Sequence, residues 1–358
     1  MMRAQGLSRK RGVALIMVLG IVVLMTVIIS SYAFDMQVEA RVLSYQKKKM
    51  QASSLARAGV ERARLLLIKS GELKNELKGL DDASEHEDVG APWFVDAREL
   101  AESTTLQSVT SPLGDGQIVL SVIPEEARRN VNRLTEDDWI RIFEITAVPE
   151  AEWETLIASY QDWIDSDEVE TTGGAETSYY EDLESPYKAK NAALDTVDEL
   201  LLVRGFTRDL LYGLPPASEE EALDWVEPLI PMHELLTVYG DPQGRVNVNA
   251  ASVEVLMTLP GVDDLVAEEI VAEREGTFLE ELEGAQLEED TSFESVEDFN
   301  ERFPEVGSEA QGMITTSASL YRILSRGEKG NVSHTISCII SFSDGVVEIL
   351  RWSESDVL

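Results

Sequence analysis

A run without a charged side chain, residues 12–34, follows directly on Arg9-Lys10-Arg11, and nothing else in the sequence limits the possible folds as tightly. At about 1.5 Å rise per residue, such a helix spans the ~30 Å hydrocarbon core of a bilayer. The basic residues before it hold the N-terminus on the cytoplasmic side and send the rest of the chain across. The expectation is a single-pass protein with its bulk beyond the membrane.

An ordinary cleaved secretory signal is excluded by length: no small-residue cleavage site follows the apolar core, and the sequence after Ser30 reads on as helix. A plain signal anchor explains the charge asymmetry but not Gly12. A short basic leader, a Gly and then an apolar helix resemble a type IV pilin-like signal, which implies cleavage by prepilin peptidase between Gly12 and Val13 and methylation of the new N-terminus. Most pilin-like proteins, the resemblance implies, carry a Glu at the fifth mature position, to pair with a neighbour's N-terminal amine. Met17 stands there instead. A carboxylate buried in lipid is costly unless paired, so its loss suits a subunit that never docks beneath another. Among pilin-like proteins the chain resembles the K subunit of the type II secretion system, a minor pseudopilin.

The chain carries 30 basic and 67 acidic residues among 358, a net charge of −37. Removing residues 1–12 takes away Arg3, Arg9, Lys10 and Arg11 and no acid, so the exported part is more acidic still. Such a charge repels nucleic acid and anionic lipid, and favours cationic partners or bound metal. The single Cys338 excludes an internal disulfide, and three scattered His do not make a zinc site.

From Asp35 to about Lys69 the chain stays helical, with a seam at Val38, Val42, Tyr45, Ala52, Leu55, Gly59, Ala63 and Leu66. With the membrane segment this predicts one helix of roughly 55 residues, on the order of 80 Å. Residues 70–91 read as a connecting loop, and 118–123 as a strand after the turn Gly114-Asp115-Gly116. Between about 124 and 312 the period is helical and two echoes occur. Asn130-Val131-Asn132 recurs as Asn247-Val248-Asn249. Likewise Leu194-Asp195-Thr196-Val197-Asp198-Glu199-Leu200 is echoed by Phe293-Glu294-Ser295-Val296-Glu297-Asp298-Phe299, with capping patterns at Thr196 and Ser295. After Gly312 strand patterns return, with Ser343-Asp344-Gly345 as a hairpin turn.

The expected fold is therefore α+β: a long N-terminal membrane-spanning helix, then a pilin-like antiparallel sheet domain with a large inserted all-α domain of two small helical modules. Its parts are a cleaved leader (1–12), a transmembrane segment (13–34), the pseudopilin domain (35–123 and 313–358) and the insertion (124–312).

The stretch Asp162-Trp163-Ile164-Asp165-Ser166-Asp167-Glu168, followed by Gly173-Gly174-Ala175-Glu176, gathers carboxylates on a Gly-containing loop, as a hard cation such as Ca²⁺ requires. It is not an EF-hand, because Val169 and Glu170 stand where a ligand and the obligatory Gly belong. Together with Tyr180, Pro186-Tyr187, Asn191 and the segment from Glu199 through Arg204-Gly205, it resembles the signature of the K family in order and spacing. That resemblance implies a structural Ca²⁺ held by Asp165, Asp167, Glu168 and Glu176. Trp163 and Trp225 are expected in the core.

Residues 256–271 resemble a helix-hairpin-helix. DNA-binding hairpins carry Gly-x-Gly and basic flanks that reach phosphates. Here the second Gly is Asp263, beside Asp264, Glu268 and Glu269, so a packed hairpin without nucleic acid is expected. A competence-type DNA-uptake protein is the alternative that this element leaves open. No nucleophile, His dyad or phosphate loop accompanies the acids, so an enzyme is not expected. The resemblance implies a structural subunit at the tip of a periplasmic pseudopilus, anchored in the inner membrane, that meets other minor pseudopilins (I and J type) and supports export of folded proteins. Residues 280–289 read as an acidic insertion, and Arg128-Arg129 as a basic departure from that family.

Overall fold

The computed structural model describes residues 8–77, 92–103, 105–214, 230–276, 291–343 and 345–355. Helix α1 (Ser8–Leu77) is one rod of 70 residues, about 105 Å at the standard rise. Leu15, Met17, Val22, Ile28 and Phe34 on its first part are all more than half exposed. Among the described residues it is the one helix long and apolar enough to cross a membrane. From Ala52 onward the same helix buries Ala52, Ala56, Val60, Ala63, Leu66 and Leu67, spacings of three and four that lay one stripe on a sheet.

The helix passes the expected end at Lys69 because Leu73 is buried against the sheet domain. Gly71, which looked like a loop residue, lies under Phe342, whose ring a Cβ would meet at 2.9 Å. It marks close packing, not a break. Residues 78–91 of the expected loop lie outside the described residues, as do Trp225, the 280–289 insertion and the first seven residues of the leader.

Five antiparallel strands form the sheet under α1, in the order β1 (Leu106–Leu113), β2 (Gly116–Pro124), β7 (Leu320–Lys329), β8 (Val332–Ser343) and β9 (Val346–Ser355). Ile118, Leu120 and Val122 of β2, Ile323 of β7, and Ile336, Cys338 and Ile340 of β8 join the α1 stripe in one core, with Phe94, Ala97 and Leu100 of helix α2 (Pro92–Ser103). The approach of α1 to β7 is close. A Cβ on Gly327 would sit 2.1 Å from the Ala52 carbonyl, and Ser325 Oγ donates to the Ala56 carbonyl at 2.7 Å. The sequence missed β1 because this edge strand is mostly exposed, contains Pro112 and has a register shift between Leu106 and Val109, which leaves no alternating apolar signal.

Strands β2 and β7 are direct neighbours, with Pro124 opposite Tyr321. Residues 125–319 therefore leave and re-enter between two paired strands, as expected of an insertion. A tight turn (Glu125–Ala127) begins it. The first module runs from β3 (Arg129–Asn130) through α3 (Glu136–Ile145), α4 (Glu150–Ile164), α5 (Thr177–Glu181), α6 (Arg208–Tyr212) and α7 (Met232–Leu235) to β4 (Leu236–Thr237). The second runs from β5 (Val246–Asn247) through α8 (Val253–Leu256), α9 (Asp264–Arg274), α10 (Val296–Arg302) and α11 (Pro304–Glu309) to β6 (Ile314–Thr315).

Each module is closed by a two-residue parallel ladder, β3 with β4 and β5 with β6. The helical insertion thus carries two short ladders, and Ile314-Thr315, expected to return to the pilin sheet, completes the second module. The echoed asparagines do the same work twice. Asn130 Oδ1 accepts from the Asn132 amide and Asn247 Oδ1 from the Asn249 amide, at 3.1 and 3.0 Å. Asn132 then exchanges two hydrogen bonds with the backbone of Leu194, and Asn249 two with Phe293.

Candidate metal centre

Helix α4 is amphipathic because Trp163 and Tyr160 must face the module core, and that rotation turns Asp162, one residue before Trp163, inward as well. Its carboxylate is fully buried and accepts from the Thr171 amide at 3.2 Å. Asp165 ends the helix in extended conformation, and the chain then loops back to place Glu176 at the start of α5. The return needs glycine twice. Gly173 has φ of +84°, and a Cβ on Gly174 would lie 2.1 Å from Asp162 Oδ2. Arg204 fixes the far side, donating to the Gly174 carbonyl at 2.8 Å while its guanidinium lies over the Tyr179 ring.

Carboxylate oxygens of Asp162, Asp165 and Glu176 lie within 4.8 Å of one another. Both oxygens of Glu176 are buried without a hydrogen-bond partner. Burial first, then the negative charges of Asp162, Asp165 and Glu168, push the Glu176 carboxyl up to about 7. Burial, with the charges of Asp167, Asp162 and Glu168, raises Asp165 also, against a hydrogen bond from the Asp167 amide. Three converging carboxylates without a cation are an unbalanced charge in a partly dry site, and only a proton or a metal ion relieves it. The donors are all oxygen, which suits a hard cation rather than zinc.

Of the four expected ligands, Asp165 and Glu176 are brought together, and Asp162 joins them. Asp167 and Glu168 lie outside this trio. Asp167 Oδ1 accepts from the Val169 amide at 2.9 Å, which turns the loop. Glu168 Oε1 accepts from Thr177 Oγ1 and Asn191 Nδ2. Asn191, at φ +48°, also donates to the Asp167 carbonyl, so it clamps the loop from outside. Sequence reasoning had the whole acidic stretch in view but put Asp162 on the helix and not among the ligands. The usable signal was its spacing: Asp162 and Asp165 are three apart at a helix end, on one face. Gly12, Val13 and Met17 stand near the start of α1, in a different element from this site.

Residues 119–217, from β2 through the whole acidic loop, match the family model described as Type II secretion system (T2SS), protein K. No curated protein matches the chain. Among solved structures, a chain in the crystal structure of the GspK–GspI–GspJ complex from the enterotoxigenic Escherichia coli type 2 secretion system has the same fold. The TM-score is 0.52 at 16% identity, over 89% of this chain and 99% of that one. One domain of the chain thus matches the model of type II secretion protein K, and the whole described fold is that of a chain in the GspK–GspI–GspJ complex, in line with the resemblance that its sequence carries.

Proposed function

We propose that this protein is the structural tip subunit of a type II secretion pseudopilus and supports export of folded proteins. The observation that carries the reading is the insertion of residues 125–319 between paired strands β2 and β7. It sets a second folded body on a pilin-like helix and sheet, too large to repeat at every step of a filament. Met17, exposed on α1, supplies no carboxylate for a subunit arriving above, and this also favours the terminal place. Prepilin peptidase cuts between Gly12 and Val13, α1 crosses the inner membrane, and the sheet and helical modules lie in the periplasm beside I- and J-type minor pseudopilins.

In this reading Asp162, Asp165 and Glu176 hold a Ca²⁺ ion, with Asp167, Glu168 and Asn191 shaping the loop. When bound, the ion supplies positive charge that lets three carboxylates stay ionised together and cross-links α4 to α5. Its role is to stiffen the first module, and no reaction is assigned to it.

Co-expression of the full chain with its I- and J-type neighbours tests the assignment. Site-specific cross-links should recover one copy per assembly, joined to those minor subunits through the soluble domain, with an intact mass lacking residues 1–12. Long filaments made of this chain alone, or a mature chain that keeps Met1, would overturn it.

A further inference from the structure

The outer face of the five-stranded sheet, opposite α1, meets the first helical module across a cavity of about 170 Å³. Strand register places Arg322 of β7 opposite Ile339 of β8, and Ile339 opposite Arg351 of β9. Two guanidinium side chains therefore leave the same face of the sheet and line the cavity, and the module contributes Arg128, His233, Thr237 and Asp198. Arg322 is satisfied by Glu125, Nε to Oε1 at 2.5 Å. Asp198 spends one oxygen on the Tyr212 hydroxyl. Arg128 and Arg351 form no ion pair among the described residues, and Glu125 and Glu234 act on Arg128 only through space.

The second module carries an arginine at the matching place. Arg128 stands two residues before Asn130 as Arg245 stands two before Asn247. Arg245 is closed off by Asp241, with Nε to Oδ1 at 3.1 Å and Nη2 to Oδ2 at 2.7 Å. Among the described residues no acid forms an ion pair with Arg128; Glu125 and Glu234 act on it through space. Burial and the neighbouring charge of Arg322 push its guanidinium below the ordinary arginine range, against the opposing charges of Glu125 and Glu234.

We propose that this cavity is an oxyanion site, in which Arg128 and Arg351 bind a tetrahedral oxyanion or a carboxylate between the sheet and the helical insertion. Two planar forks around a small polar cavity suit bidentate recognition of such groups. A bound anion joins β9 to the start of the insertion, and so fixes how the two bodies of the chain meet.

The test uses the full-length, calcium-saturated protein in non-ionic detergent, titrated with sodium sulfate or sodium acetate against sodium chloride at constant ionic strength. Calorimetry and melting temperature are read together. Saturable sulfate binding that Arg351→Gln weakens roughly tenfold or more is the result expected for a free tetrahedral ion. Saturable, Arg351-dependent binding of acetate alone assigns the site to a carboxylate, such as an acidic side chain of a neighbouring subunit. Arg351 is exposed, so the variant folds, and Arg128→Lys, which keeps the charge and loses the fork, should weaken the same ligand. Stabilisation that rises linearly with sulfate and is equal in R351Q reflects general salt exclusion. That result, or no binding of either anion, overturns the proposal.

Discussion

The two helical modules share one frame and differ in what has been built onto it. Both open on a strand carrying Asn-x-Asn, clamp the backbone some way downstream with the second Asn, and close with a parallel ladder. Among the described residues, only the first has carboxylates converging at the end of its second helix. The residue before the first Asn also differs: Arg129 in one module, Val246 in the other, both buried. Identical clamps on different surroundings show that the asparagines serve the frame, while the acidic loop is an addition to it.

The Arg129–Val246 difference gives the largest expected effect. Arg129 is 2% exposed, pairs with equally buried Asp138 at 2.5 Å, and donates to Thr258 in the second module. Arg129→Met leaves buried Asp138 with only the more distant Arg141, at 3.6 Å, as a cation, and should cost about 3 kcal/mol of unfolding free energy, measured by urea titration. Val246 is a buried apolar member of the module core and leaves no charge behind, so Val246→Ala should cost less. If both cost the same, the ion pair does not join the modules.

Next come the clamps. Asn249→Ala leaves the N–H and C=O of Phe293 unpaired in a buried setting, at roughly 1–3 kcal/mol for each group. Asn132→Ala removes the same two bonds at Leu194 where the side chain is only half-buried, so water offsets part of the loss. Asn249→Ala should therefore lower the melting temperature more than Asn132→Ala. The reverse order would break the equivalence of the modules.

These asparagines were legible in the sequence as an echo, because a duplicated backbone solution needs the same side chain twice. The insertion was legible from the change of period at 124 and 312. The parallel ladders were not, since two residues carry no periodicity, and edge strand β1 was hidden by its polar face. Within the acidic loop, sequence gave the composition of the site but not the partition between ligands and loop-formers. That depends on the inward turn of α4, which the aromatic core sets.

Calcium withdrawal ranks third. A site at 100 times its Kd contributes ~2.7 kcal/mol, so chelation should lower the melting temperature and Ca²⁺ restore it. Glu176→Gln should abolish that response, and Asn132→Ala should not. Without metal, the Glu176 carboxyl ionises at about 7 when folded and near 4.3 when unfolded. The folded state then holds the proton more tightly, so this group's contribution to stability is greatest below about 4.3 and declines as pH rises to about 7. The chelated wild type should lose stability relative to Glu176→Gln across that window, while the gain on adding Ca²⁺ should grow. Parallel pH curves for the two proteins would place Glu176 outside the cluster.

The smallest effect separates a packed hairpin from a nucleic-acid hairpin in the second module. Gly261, at φ +73°, makes the turn between α8 and α9, and Asp263 Oδ1 accepts from the Val266 amide at 2.9 Å. A carboxylate at the N-terminus of α9 already satisfies the group that would otherwise face a phosphate. Asp263→Ala should cost about 1 kcal/mol, and Asp263→Gly only a few tenths. The glycine variant also restores the Gly-x-Gly of a DNA-binding hairpin, leaving Asp264, Glu268 and Glu269 in place. If acidity of the whole face governs, a gel-shift assay at low salt should show no retardation for either the native chain or Asp263→Gly. Retardation by the native chain would support the DNA-uptake reading, and retardation by the variant alone would show that one capping carboxylate separates the two kinds of hairpin.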